Sequence, residues 1–236
     1  MKKLKYIVLF AAVITMAVFS CKKDAPVTQT VDFGYNYFPN EVGSYVIYDV
    51  DSISYDDKAD NRDTFRFQLE EVIDSIFIDN SNRPTMRLAR YYKKYNDTVP
   101  YASMPWSYPR IWYANRTTST AEKVEENVRY IKIVFPAVKK KKWDGNVFNT
   151  HGKKEYEITS MDQGETINSL HWDSVLTVLQ FEQENLVEHI YEAEKYAKNV
   201  GLVFKQRDSL NFQGLSIPFE DTIGYTYSQT VVSYGK

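Results

Sequence analysis

Phe65, Phe67 and Leu69 alternate with Arg66, Gln68 and Glu70. A repeat of two puts the apolar side chains on one face of an extended chain and the polar ones on the other, which describes a half-buried strand. Ile131, Ile133 and Phe135 alternate in the same way with Lys132 and Val134. Residues 46–54, 85–95, 110–119, 121–126, 128–135, 204–213 and 225–233 read as further strands, and 175–181, apolar on both parities except at Thr177 and Gln180, as a strand covered on both faces. Aromatic residues make up 15% of the chain, and such side chains suit pleated, partly buried surfaces. Past Glu71 the apolar positions Val72, Ile76 and Ile78 change parity, which predicts a bulge or break near Glu70. Turns are predicted at Asp79-Asn80-Ser81-Asn82, at Asp144-Gly145, and at Met161-Asp162-Gln163-Gly164, the last between strands at 154–160 and 165–170. The expected fold is therefore all-β and mainly antiparallel: one strongly curved sheet, a half-barrel or an up-and-down barrel, with one or two short helices.

The N-terminus constrains location. Lys2, Lys3 and Lys5 precede an uncharged apolar run over 6–19, which is shorter than the roughly 20 residues of a permanent span but suits a signal-peptide core. It ends at Val18-Phe19-Ser20-Cys21, and Cys21 is the only cysteine. A small residue and a cysteine after such a run resemble the lipobox of bacterial lipoproteins, with Val18 and Phe19 standing where that pattern usually has Leu and a small residue. The resemblance implies cleavage after Ser20, lipidation of Cys21 and attachment to the outer membrane, on a face that the sequence leaves open. Residues 1–20 are then a signal peptide, 21–32 the lipidated cysteine and a polar tether containing Pro26, and 33–236 a single β-rich domain.

With Cys21 lipidated, a domain of this composition has no thiol for disulfides, metal–thiolate sites or nucleophilic catalysis. Removing residues 1–20 also removes three lysines and no acid, moving the formal charge from −2 to −5. That balance argues against a nucleic-acid partner.

Two internal segments carry a further resemblance. Tyr37-Phe38-Pro39, followed by Val42-Gly43-Ser44-Tyr45, and Glu194 to Val203 are similar to segments of uncharacterised Bacteroidota outer-membrane lipoproteins, as is the start Cys21-Lys22-Lys23-Asp24. In those proteins the segment matching 194–203 reads as strand, turn and strand. Against it, Leu186, Ile190, Ala193 and Ala197 fall at helical spacing before Asn199 and Gly201, so a helix over 186–198 is the alternative.

Candidate functional residues follow. The stretch 91–113 is dense in aromatics and interrupted by Pro100, Pro105 and Pro109; Tyr101, Trp106, Tyr108, Trp112 and Tyr113 are the candidate ligand-binding residues, the alternative being a proline-stiffened lid that closes the core. Six Asp-hydroxyl-aliphatic triplets place Ser52, Ser75, Thr98, Ser174, Ser209 and Thr222 in a pattern that resembles the O-glycosylation acceptor of extracytoplasmic Bacteroidota proteins. Asp56, Asp57, Asp60 and Asp63 crowd one loop without the glycine and final glutamate of a calcium hand, so the loop reads as a solvated hairpin tip. Lys139 to Lys142 reads as a solvated edge strand or, alternatively, a contact for anionic headgroups. His151, His171 and His189 lack ligand spacing, and no nucleophile elbow, phosphate loop or dinucleotide fingerprint occurs; no catalytic residue, metal or cofactor is predicted. The expected function is a non-catalytic binding or accessory lipoprotein for a lipid, glycan or other amphipathic ligand. An adaptor docking on an envelope complex is the alternative, and a glycan-active enzyme the third reading.

Overall fold

The computed structural model describes residues 31–56, 62–212 and 222–236. The signal and tether positions up to Thr30, Cys21 among them, most of the acidic loop at 56–63, and Pro218 lie outside the described residues. Phe33–Lys236 forms one compact unit.

Twelve strands make one sheet: β1 Tyr45–Tyr55, β2 Arg62–Ile78, β3 Pro84–Lys94, β4 Arg110–Arg116, β5 Thr120–Glu125, β6 Val128–Val134, β7 Lys142–Asp144, β8 Glu155–Ile167, β9 Leu170–Glu184, β10 Glu188–Ala197, β11 Gly201–Phe212 and β12 Thr222–Gly235. Every pairing is antiparallel, and neighbours in sequence are neighbours in space except across one seam. β12 pairs with β1, which leaves β6 and β7 as the two ends of the sheet. The result is a nearly closed up-and-down barrel. The helical content among the described residues is two single 3-10 turns, Tyr35–Tyr37 and Tyr101–Ser103, and the helix alternative over 186–198 gives way to β10.

The seam closes without a ladder. Ile131 N donates to Gly145 O at 3.0 Å, Trp143 Nε1 to Ile131 O at 3.0 Å, and Asn149 Nδ2 to Arg129 O at 2.8 Å. One backbone bond and two side-chain donors thus engage backbone groups of an edge that would otherwise lack partners there. The lysine run ends in the three-residue strand β7, one end of the sheet, as the edge-strand reading expects.

Two turn assignments need correction. The 161–164 stretch is interior to β8, and the hairpin turn falls at Asn168-Ser169, because three register slips between β8 and β9 absorb the polar residues into a bulged strand. Asp144-Gly145 opens a longer connection over 145–154, in which Asp144 Oδ1 accepts from Asn146 N and Lys154 N at 2.9 and 3.0 Å. The predicted break near Glu70 sits slightly further on, with Asp74 as the unpaired residue between β2 and β3.

The two ends of the barrel differ. One is plugged by Phe33 to Pro39. Tyr37 is fully buried, donates its hydroxyl to Asp162 at 2.8 Å and lies 2.7 Å from Ser174 Oγ, while Arg116 Nη1 donates to the carbonyls of Tyr35 and Phe38. Gly34, at φ 81°, is required there, since a Cβ would stand 2.7 Å from that of Ala137. The other end carries the 95–109 and 185–187 connections and forms the mouth. Outside, Asp49, Asp51, Arg66 and Gln68 pair across β1 and β2.

Gly145 holds the seam and lies against Tyr156, whose ring atoms would be 2.4 to 2.7 Å from an added Cβ. We expect Gly145→Ala to cost about 1–3 kcal/mol and to accelerate hydrogen exchange at the Ile131 amide; an unchanged denaturation midpoint and exchange rate would refute this account of closure.

Candidate functional site

Twelve strands enclose more space than one layer of aliphatic side chains fills. This chain fills it with long charged and aromatic residues. Glu71 on β2 accepts from Lys123 Nζ on β5 at 2.7 and 2.8 Å and lies 3.1 Å from Arg90 Nε on β3. Lys132 on β6 reaches Glu125 at 2.8 Å and, across the lumen, Glu194 on β10 at 3.0 Å. Lys205 on β11 joins both carboxylates, at 3.3 and 3.2 Å. Tyr196 donates to the second oxygen of Glu194 at 2.5 Å. Glu194 is 1% exposed and Lys132 3%, so these are interior ion pairs.

Bulges put two of these residues inside. In the β5–β6 ladder Ala121 pairs with Ile133 and Glu122 with Ile131, so Lys132 is the extra residue and turns inward beside a buried Ile133. In the β9–β10 ladder Glu192 pairs with Phe181 and Ala193 with Leu179, leaving Gln180 as the extra residue, 3% exposed and lumen-facing.

The electrostatics follow from geometry. Burial works to raise the Glu194 carboxyl, but Lys132 and Lys205 outweigh it and hold it at about 2. Burial likewise opposes ionisation of Glu125 and Glu71, and the surrounding cations, Lys132 first for Glu125 and Lys123 first for Glu71, still leave both below the usual carboxylate range. Burial lowers Lys123. Tyr48 and Tyr196 are pushed far up by burial and act as neutral donors, Tyr48 to Leu202 O at 2.9 Å.

The lumen has three parts. Deepest, behind the plug, is a cavity of about 70 Å³ lined by Tyr48, Met86, Leu88, Trp112 and the Glu71, Glu125 and Glu194 clusters. That is room for a few water molecules. On the β5–β6 and β8–β11 walls lies a polar chamber of about 240 Å³, which shares Glu125, Lys132 and Lys205 with the deep cavity. On the opposite walls, at the mouth, a groove of about 730 Å³ is lined by Phe65, Phe67, Tyr92, Tyr95 and Tyr227, with Arg66, Lys94, Arg110, Ser52 and Thr64. Among the described residues, three cations and five aromatic rings line it, and no acid does.

The five candidate aromatics do not share one surface. Trp112 points inward, its ring 3.4 Å from the Arg90 guanidinium carbon and its Nε1 donating to Glu126 at 3.2 Å. Tyr113, next along β4, faces the other way and meets Phe77 edge-on at 5.8 Å. Tyr101 and Trp106 hold Lys93, whose ammonium donates to Tyr101 O at 2.9 Å and sits 4.2 Å from the Trp106 centroid. Tyr108 is 96% exposed. Among the candidate acceptors, Ser52 lines the mouth groove, Ser75 donates to Asp74, and Ser174 is engaged by Tyr37 and Asp162. Ser209 and Thr222 are half-buried in strands, whereas Thr98 is exposed in the 95–109 connection. His151 lines the polar chamber, and no group of metal-ligating residues occurs among the described residues. No helix among those residues is long and apolar enough to cross a membrane.

The sequence reading passed over Glu71, Arg90, Lys123, Glu125, Lys132, Glu194 and Lys205. One local pattern was present: Lys123 and Glu125 stand at alternate positions of β5, which puts both on one face of the strand. No family model, no curated protein and no solved structure matches the chain.

Glu194→Gln leaves Lys132 and Lys205 sharing one buried carboxylate, and we expect a loss of about 3–5 kcal/mol. The folded Glu194 carboxyl lies below its unfolded value. Its contribution is therefore complete above pH 4.5 and declines as pH falls towards about 2. Urea midpoints measured across that window fall for the wild type and fall less steeply for Glu194→Gln; parallel curves would contradict the assignment.

Proposed function

We propose that the protein is a non-catalytic, membrane-anchored binding module of the cell envelope that holds an amphipathic acid in the mouth of its barrel. The observation that carries this reading is the mouth groove. At about 730 Å³ it has the size of a ligand site. Phe65, Phe67, Tyr92, Tyr95 and Tyr227 offer a surface for an acyl chain or ring system, and Lys94 and Arg110 offer charge to an acidic group, while Arg66 at the rim is paired with Asp51. Arg110 lies 5.4 Å from the Tyr92 centroid, so charge and apolar surface adjoin within one side chain's reach. Phe65 is 56% exposed, a large apolar side chain unprotected at the rim. Lipid on Cys21, with 22–32 as the tether, would anchor the domain to the outer membrane.

A docking role is the second reading. Tyr108, Leu186 and Val187, 96%, 89% and 58% exposed, stand on connections at the same end of the barrel and would suit a protein partner in the envelope.

Native mass spectrometry of the full chain, extracted gently from its own membranes, tests the primary reading. A reproducible added mass that disappears on denaturation, and that falls in occupancy in Tyr95→Ala and Arg110→Ala, is expected; a clean apo mass sinks the carrier reading and leaves docking. Separately, Cys21→Ser is expected to move the protein from the membrane to the soluble fraction, and persistence in the membrane would refute the lipid anchor.

A further inference from the structure

The polar chamber on the wall opposite the mouth groove has a feature that the ion pairs do not absorb. The side chains lining it and the deep cavity include four carboxylates, Glu71, Glu125, Glu192 and Glu194, and six cations, Arg90, Lys123, Lys132, Lys154, Lys205 and Arg207. Two positive charges are left over, on side chains that reach from the lumen towards solvent, Lys154 at 24% and Arg207 at 42% exposure. The excess falls on the chamber side. Glu192 is the shared partner of Lys154, at 2.6 Å, and Arg207, at 3.4 Å. A second observation points the same way: Gln180, 3% exposed and lining the chamber, has its Nε2 buried without a hydrogen-bond partner, while the shielded Nε of Arg207 meets Glu192 at 3.4 Å without hydrogen-bond geometry. Buried donors require an acceptor. A chamber of about 240 Å³ also exceeds what one or two waters occupy.

We propose that this chamber binds a phosphate-type oxyanion, with Gln180 Nε2, Arg207 and Lys154 as its donors. A phosphate monoester carries between one and two negative charges near neutrality and offers several acceptor oxygens, which answers both the two-charge excess and the orphan donors. The same group arrives either as free inorganic phosphate or as the headgroup of a larger molecule reaching in from the mouth. Tyr227 of the groove and Arg207 of the chamber are paired neighbours on β12 and β11, so the two sites adjoin at these strands. The site stands independently of the mouth reading, because none of its donors lines the groove.

The test is calorimetric titration of the full chain with inorganic phosphate, against chloride at equal ionic strength, with phosphorus NMR as a second readout. Saturable binding near one equivalent is expected, weakened about tenfold or more in Arg207→Gln and in Lys154→Gln and unchanged in Arg110→Ala. Gln180→Leu follows the first two, provided that its circular dichroism matches the wild type; the more exposed Arg207 carries the test if it does not. Titration with a lysophosphatidate separates the sources. Competition with phosphate, lost in both chamber and mouth variants, assigns a headgroup; phosphate binding without competition assigns the free anion. Absence of saturable binding by either probe, or binding that ignores the chamber substitutions, overturns the proposal.

Discussion

Lys132 bridges Glu125 on its own side of the barrel and Glu194 on the far side, and this ionic crossing sets what the interior can be. A sheet of twelve strands cannot be filled by one layer of Val, Leu and Ile, and an unfilled apolar lumen would be an energetic liability. Lys, Arg, Glu and Tyr reach further, and their heads meet near the middle. Interior ion pairs are weak stabilisers once desolvation is counted, while breaking one is severe. Their role here is geometric: each carboxylate has two cationic partners, so the walls are held at one separation and the remaining volume is divided into chambers of fixed chemistry.

That division explains why the barrel has two unlike ends. At the plugged end, Tyr37 enters a cluster with Ile133, Ile158, Leu176 and Val178, and its hydroxyl ties Asp162 and Ser174. Apolar packing and satisfied polar groups leave little for a ligand there. Towards the mouth the lining turns to exposed rings and cations, and among the described residues nothing comparable to Tyr37 occupies the groove. Rigidity at one end and an open, preformed surface at the other suit recognition without large motion.

The sequence showed the fold because strand alternation is local: Phe65, Phe67 and Leu69 declare their face without knowing their neighbours. Tyr37-Phe38-Pro39 was visible as a segment, although its burial as a plug depends on residues distant in sequence, Arg116, Asp162 and Ser174. The site was poorly legible for two physical reasons. First, a charged residue in a strand reads as solvent-facing, and only closure of the barrel, a non-local event, turns that face inward; Lys123, Glu125 and Lys205 are examples. Second, a bulge shifts parity by one, so Lys132 and Gln180 reach the lumen from positions that a strict period of two assigns to the outside. The aromatic stretch misled in the opposite sense: its density is evident, but alternation sends Trp112 and Tyr113 to opposite faces.

The same two causes locate the chemistry. Residues that obey simple alternation, Phe65, Phe67, Tyr92 and Tyr227, build the mouth groove, whose apolar rings would serve the amphipathic ligand of the proposed function. Residues inserted by bulges, Lys132 and Gln180, stand at the polar chamber, where one unpartnered amide and an uneven charge count are far more selective. A bulge weakens its ladder and is retained where the re-aimed side chain matters. Selectivity in this barrel should therefore reside in the chamber and binding strength in the groove, with Arg207 and Tyr227, adjacent on neighbouring strands, as the point where the two meet.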